Sequence, residues 1–238
     1  MQMAVQIDAH GKTMESARET RRVSDEASSE AIARSRDADR SRKLLLDVAR
    51  AEFAEFGLGG ARIARIAERA NVDKKLIFYY FRNKENLYTE VLLEAYAKIR
   101  AAESNLHLTE MDPRDSIRKL TEFTWKYYID NPEFITLLNS ENLHKARHIS
   151  ALPNIKDLNS PLVAMLAEVL KRGVESGEFR KDIDPVQLYI SIAALSYFYL
   201  SNNHTLSAIF GRDLLSPAAL EERLDHIQGL VLGYVTAT

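Results

Sequence analysis

The chain has 238 residues, 46% of them hydrophobic and 28% charged, with 32 basic against 34 acidic side chains and no cysteine. That length supports one or two hydrophobic cores. The missing thiols exclude disulfide frameworks, thiolate zinc sites and cysteine nucleophiles, and a net charge of −2 does not by itself point to nucleic acid.

Residues 1–38 are rich in Ser, Ala, Arg, Glu and Asp and poor in large apolar side chains, so their composition predicts a mobile polar leader. No apolar h-region of a signal peptide is present among them. From Asp39 the pattern turns helical. Leu45, Ala49, Phe53 and Phe56 fall on one stripe, Gly57 follows as a left-handed C′ residue, and Leu58-Gly59-Gly60 reads as a break. Ile63, Ile66, Ala67 and Ala70 outline a second, short helix, and Asn71 suits a left-handed turn. Asp73 is an N-cap for a third helix with Ile77 and Phe81 on one face, and Asn83 caps a fourth. Three helices with a tight turn between the second and third describe a helix-turn-helix.

Further helices are predicted over Lys84–His107, Pro113–Asp130, Pro132–His148, Ser160–Ser176, Asp184–Asn203 and Ser216–Tyr234, with breaks at Asp112-Pro113, Asn131-Pro132, Pro153, Gly173/Gly177, Asp184-Pro185 and Ser216-Pro217. The longest apolar stretch, Leu188 to Leu200, is short for a membrane span and carries Ser191 and Ser196, so it reads as a buried helix. No alternating strand pattern appears. The predicted fold is all-α: a polar leader over 1–38, a helix-turn-helix domain over 39–88 and a helical domain over 89–238.

Charge is unevenly placed. Residues 39–91 carry 11 basic against 8 acidic side chains, and between Arg62 and Lys84 the balance is 7 to 2. Such a concentrated basic segment on a near-neutral chain is the footprint of a small nucleic-acid-reading module. Its centre is Asp73-Lys74-Lys75-Leu76-Ile77-Phe78-Tyr79-Tyr80-Phe81-Arg82. Lys74 and Lys75 lie in a first helical turn, where the macrodipole disfavours cations, which implies an anionic partner. Consecutive helical positions are about 100° apart, so four aromatics in a row cannot share one core. With Ile77 and Phe81 inward, Lys75, Phe78, Tyr79 and Arg82 face outward, suited to base edges and phosphates. Packing of these rings on a neighbouring helix, with merely solvated charges, is the competing reading.

Residues 40–88 resemble the DNA-binding domain of TetR/AcrR-type bacterial transcriptional regulators. The resemblance lies in Gly57-Leu58-Gly59-Gly60, Ile66-Ala67-Glu68-Arg69-Ala70-Asn71-Val72-Asp73-Lys74 and Ile77-Phe78-Tyr79-Tyr80-Phe81-Arg82-Asn83-Lys84-Glu85-Asn86-Leu87-Tyr88. Four positions depart from the family pattern: Ala61 for a threonine, Asn71 for a turn glycine, Asp73 for serine, and Phe78 for tyrosine. The resemblance implies that Lys74, Lys75 and Phe78 face base edges. It assigns phosphates to Tyr79, Tyr80, Lys84, Arg62 and Arg65, and backbone or minor groove to Arg40, Arg42 and Lys43. It also implies a cytoplasmic homodimer, bound to a double-stranded operator and released by a small-molecule effector, with no membrane partner and no cofactor.

In the body, Trp125, Tyr128, Phe134, Leu137, Leu138, Leu166 and Tyr197 suit a cavity lining, plain helical core being the alternative. Glu141, His144 and His148 share a helical face at i, i+3 and i+7. No glutamate follows the first histidine, and Lys145 and Arg147 oppose a divalent ion, so surface or pocket-lining polar residues are expected and no metal. A metal-dependent enzyme built on this trio, or a helical interaction protein with an unused helix-turn-helix, would be the other function classes. No nucleophile–base set is present, and no catalytic residue is expected. On the last two helices, Leu188, Ile192, Leu195, Ile227, Leu230, Val231 and Tyr234 are expected at a four-helix dimer interface, with an intrachain core as the alternative.

Overall fold

A computed structural model describes residues 36–152 and 155–237, with backbone alone at 155–160. Most of the predicted leader, residues 1–35, and the predicted break at Pro153 lie outside the described residues. The described chain divides into two units at Leu46–Asp47. In the described part of the first, the backbone is helical, Ser41 Oγ donates to Asp37 O at 2.8 Å, and Leu45 and Leu46 are buried.

Helix α1 takes in residues 36–60. Gly57 adopts the expected left-handed φ of +64°, but it does not end the helix. Ala61 N–H bonds back to Gly57 O at 3.1 Å, and the turn through Leu58-Gly59-Gly60, predicted as a break, stays helical. Short helices α2 (Ile63–Arg69) and α3 (Lys74–Phe81) follow, joined through Asn71 at φ +52°, and α4 (Lys84–Ser104) leads into the body. The cap of α4 is as predicted: Asn83 accepts from Asn86 N–H at 2.7 Å.

The body comprises α5 (Pro113–Asp130), α6 (Pro132–Leu143), α7 (Ile155–Glu175), α8 (Pro185–Ser201), α9 (Asn203–Phe210) and α10 (Pro217–Val235). Proline opens α5, α6, α8 and α10, where its missing N–H costs nothing. Asp112, Asp184 and Ser216 accept from first-turn amides before three of these. Asn131 instead turns its side-chain amide back to Tyr127 O at 2.9 Å.

Three predicted boundaries need correcting, and one helix was not predicted. Helix α4 stops three residues before His107, which is left-handed at φ +53°. Helix α6 stops at Leu143, five residues before His148, because Lys145 and Ala146 take positive φ. Helix α7 starts at Ile155 and runs through Pro161 instead of opening beside it. Helix α9 fills a stretch where no helix was expected.

The body core is built around α5, which packs on α7, α8 and α10. It contributes buried Ile117, Leu120, Trp125 and Tyr128, while the hydroxyls of buried Thr121 and Thr124 bond back to carbonyls one turn earlier at 2.8 Å. Buried Gly173 lies under the Phe179 ring, and Phe179 forms an isolated antiparallel bridge with Thr236. Arg180 N–H to Val235 O and Ala237 N–H to Glu178 O, both 2.9 Å, tie the end of α10 to the α7–α8 loop. No strand occurs among the described residues, and none of their helices is long and apolar enough to cross a membrane.

Candidate nucleic-acid interface and ligand cavity

Helix α3 starts as its sequence requires. Asp73 is extended (φ −70°, ψ 140°) and its carboxylate accepts from Lys75 N–H at 2.7 Å. Ile77 and Phe81 are buried, so the 100° rotation per residue turns Lys74, Lys75, Phe78, Tyr79 and Arg82 outward. Tyr79 is 79% exposed and stands edge-on to half-buried Tyr80 at 5.2 Å. Rings left this open are apolar surface offered to solvent. No acid stands inside the first turn to offset Lys74 and Lys75. The helix therefore presents cations and flat apolar rings together, which suits phosphate and base-edge contact.

The sequence reading missed the residue that ties α1 to α2. Glu52 on α1 is fully buried, and its carboxylate accepts from Arg65 Nε at 2.7 and 2.8 Å and from Arg62 N–H at 2.9 Å. Arg65 Nη2 lies 2.6 Å from Glu52 Oε1, and Arg69 Nη1 lies 3.4 Å from Oε2. Burial pushes the Glu52 carboxyl upward, but the bonds from Arg65 and Arg62 outweigh it and the net shift is downward. An acid inside an otherwise apolar stripe, with arginines 10, 13 and 17 residues on, was the available signal.

Arg65, expected at a phosphate, is held in this network: its guanidinium grips Glu52, donates to Gly60 O at 3.1 Å and lies 3.8 Å over the Phe56 ring. Lys84 is likewise turned inward, Nζ donating to Leu58 O at 2.8 Å and Ala61 O at 3.2 Å, where it caps the carbonyls ending α1. The Arg62 side chain stays exposed. In the first unit, Arg40 and Lys43 are exposed and Arg42 is half-buried.

Glu141 and His148 are buried rather than at the surface. Glu141 accepts from His148 N–H at 2.8 Å and Ile149 N–H at 3.0 Å through Oε1, and its Oε2 meets His148 Nδ1 at 2.7 Å. Arg147 Nε donates to His148 Nε2 at 3.2 Å, so Nδ1 carries the histidine proton. His144 Nδ1 faces Ser140 O at 2.7 Å. With these oxygens and nitrogens engaged, the trio closes the turn after α6. No group of three or more His, Asp or Glu among the described residues is placed to hold a metal ion.

Of the predicted cavity residues, Tyr128, Phe134 and Leu138 line one cavity of about 350 Å³ with Tyr96, Arg100, Leu162, Val163, Val186, Tyr189, Ile190 and Ala193. Trp125, Leu137, Leu166 and Tyr197 do not line it. Trp125 is buried edge-on to Tyr199 at 5.6 Å, Leu137 and Leu166 are core, and the Tyr197 hydroxyl bonds to Asn139 Oδ1. A second hollow, about 550 Å³ and more polar, lies among Tyr199, Arg212, Arg223 and His226.

The expected dimer face is also redistributed. Leu188, Ile192, Ile227 and Val231 are buried within the protomer, because they are the inward stripe by which α8 and α10 pack on α5. Leu195 is half-buried. Leu230 and Tyr234 remain exposed on α10 beside Gly229 and Gly233, and Phe198 is exposed on α8.

Residues 45–91 match the family model described as bacterial regulatory proteins, tetR family, and residues 113–231 match that of the tetracyclin repressor-like C-terminal domain. The HTH-type transcriptional repressor NicS of Pseudomonas putida is 39% identical over 199 residues, 84% of this chain and 94% of its own length. The HTH-type transcriptional regulator RutR of Escherichia coli K12 is 27% identical over 202 residues, 84% and 92%. Among solved structures, the ketosteroid transcriptional regulator KstR2 of Mycobacterium tuberculosis shares the fold with a TM-score of 0.61 at 22% identity, over 83% of this chain and 95% of its own.

Proposed function

The chain belongs to the tetR family of bacterial regulatory proteins and is a DNA-binding transcriptional repressor, and from that premise we propose that it acts as a homodimer which a small molecule releases from a pseudo-palindromic operator. The observation that carries this reading is the outward face of α3. There Lys74, Lys75, Phe78 and Tyr79 stand open with no acid in the first turn. Lys74, Lys75 and Phe78 read base edges in the major groove, Tyr79 and Tyr80 hold the flanking backbone, and Arg62 adds a phosphate contact from the start of α2. Arg40, Arg42 and Lys43 approach the backbone or minor groove as a basic arm. Arg65 and Lys84 act indirectly, by fixing the frame on which α3 sits.

In this reading, residues 39–88 form the reading domain and 89–238 the sensing and pairing domain of a cytoplasmic regulator. Leu230, Tyr234 and Phe198, with Gly229 and Gly233 allowing close helix approach, supply the self-association face. Two copies place two α3 helices in successive major grooves, with half-sites about 34 Å or a multiple apart. A ligand weakens operator binding only by its differential affinity for the conformation whose heads are wrongly spaced.

Selection of bound fragments from random duplex DNA, then titration of the winner at several salt concentrations, tests this. A two-fold symmetric winner with a steep salt slope is expected. Enrichment of single half-sites would refute the dimer, and no enrichment at any salt would refute DNA reading by α3.

A further inference from the structure

Arg100, on α4, has nine-tenths of its side chain buried. A buried guanidinium is expensive unless its donors are met. Nη2 donates to the Tyr189 hydroxyl at 2.6 Å. Nε lies 3.0 Å from Glu103 Oε2 but off the donor direction, and neither Nε nor Nη1 makes a hydrogen bond. This under-satisfied cation forms part of the wall of the 350 Å³ cavity. Among the described residues, the rest of that wall is aromatic or aliphatic and holds no other charged side chain.

We propose that this cavity binds a small aromatic carboxylate, its carboxylate gripped by Arg100 and its ring lying among Tyr96, Tyr128 and Phe134. The proposal rests on the effector reading above and gives that effector a chemical class. Charge selects an anion: the planar guanidinium fork matches a carboxylate, and one cation without helpers suits a single negative charge better than a phosphate dianion. Shape selects a ring. Phe134 stacks on Tyr128 at 5.9 Å and meets Tyr96 edge-on at 5.6 Å, so a planar apolar body can extend an existing aromatic cluster. A volume near the lower end of the roughly 300–1,000 Å³ range of ligand pockets favours one or two rings.

Glu103 makes binding pH-dependent. Its carboxyl is pushed up to about 7 by burial, against the pull of Arg100. The groups facing it are Arg100 from α4, Tyr127 and Tyr128 from α5 and Tyr189 from α8, and burial holds all three phenols above their ordinary value of 10. Of these groups, Glu103 is the one whose carboxyl burial brings to near neutrality. An incoming carboxylate favours the neutral acid, so affinity rises about tenfold from pH 8 to pH 6 by proton linkage.

Calorimetric titration of the DNA-free full chain with benzoate, 2-naphthoate and 3-phenylpropionate, against benzamide and hexanoate, tests the proposal. At least one aromatic carboxylate is expected to bind, more than tenfold tighter than benzamide or hexanoate and tighter at pH 6. The double variant Arg100→Met/Glu103→Gln removes both buried charges together and abolishes the preference over the amide. Tyr189→Phe keeps the packing, loosens the guanidinium and weakens binding several-fold. Equal binding of benzamide, equal binding of hexanoate, no binding by any aromatic carboxylate of the panel, or an undiminished preference in the double variant overturns it. Operator release, followed separately by DNA anisotropy, keeps the two readings apart. Carboxylate binding without release supports this site and refutes effector control, whereas release by an uncharged compound with no carboxylate binding upholds effector control and overturns the ligand class.

Discussion

Glu103→Gln offers a test of the buried charge in the body that needs neither DNA nor ligand. Glu103 is 1% exposed, and burial lifts its carboxyl from 4.5 to about 7 against the attraction of Arg100. The folded state therefore holds a proton that the unfolded chain has released between these values. Stability from such a group is fully present below the unfolded value and is lost as pH rises through the folded one. At about 1.4 kcal/mol for each pH unit separating the two values, the full loss is about 3 kcal/mol, of which roughly 2–3 kcal/mol falls between pH 5 and pH 8. Glutamine keeps the shape and the neutral state at every pH. Urea unfolding of both proteins at one protomer concentration should show the wild type losing that amount relative to Glu103→Gln over this range. Parallel pH profiles, or a wild type that gains on the variant as pH rises, would refute the reasoning. The second outcome would mean that the Arg100–Glu103 contact is a net stabilising ion pair.

Four further outcomes are expected. Arg65→Ala leaves the Glu52 carboxylate without the donors of its guanidinium and should lower stability in urea unfolding, and Glu52→Gln added to it should restore at least half of the loss; an Arg65→Ala protein as stable as the wild type would exclude a structural part for the pair. Arg62→Ala should lower the salt slope of operator binding by about 0.9, and Phe78→Ala should change the sequence selected rather than weaken all sequences equally. A Cβ at Gly173 would stand 2.1 Å from Phe179 Cδ2, so Gly173→Ala forces that ring to move and should cost roughly 1–3 kcal/mol, read as a fall in thermal midpoint; an unchanged midpoint would show that the ring relaxes freely.

Much of this protein is written in local sequence, wherever a short-range rule decides. Asp73 before Lys74-Lys75 and the i, i+4 pair Ile77 and Phe81 fix both the start of α3 and the face it turns outward, since capping and helical rotation act within a few residues. The same holds for the four proline-opened helices and for the left-handed turn at Asn71. Those rules, with the run of aromatics and lysines, determined the helical class and the reading helix of a tetR-family repressor.

Tertiary structure decided what each polar group meets. An arginine in a basic segment reads as a DNA contact, and only the fold brings Glu52 within reach of Arg65, 13 residues on, and turns Lys84 onto the carbonyls of α1. An apolar stripe announces burial but not against what, so Leu188, Ile192, Ile227 and Val231 suit a partner subunit in sequence, whereas they are buried within their own chain. Glu141 and His148 have the pattern of surface residues until the turn at Lys145 and Ala146 folds the chain back over them. Arg100 draws no notice in sequence, because a charged residue on a long helix is ordinarily solvated. Long-range packing alone sets its guanidinium beside Tyr189 at the edge of an aromatic cavity, and a short-range reading contains no information on that distance.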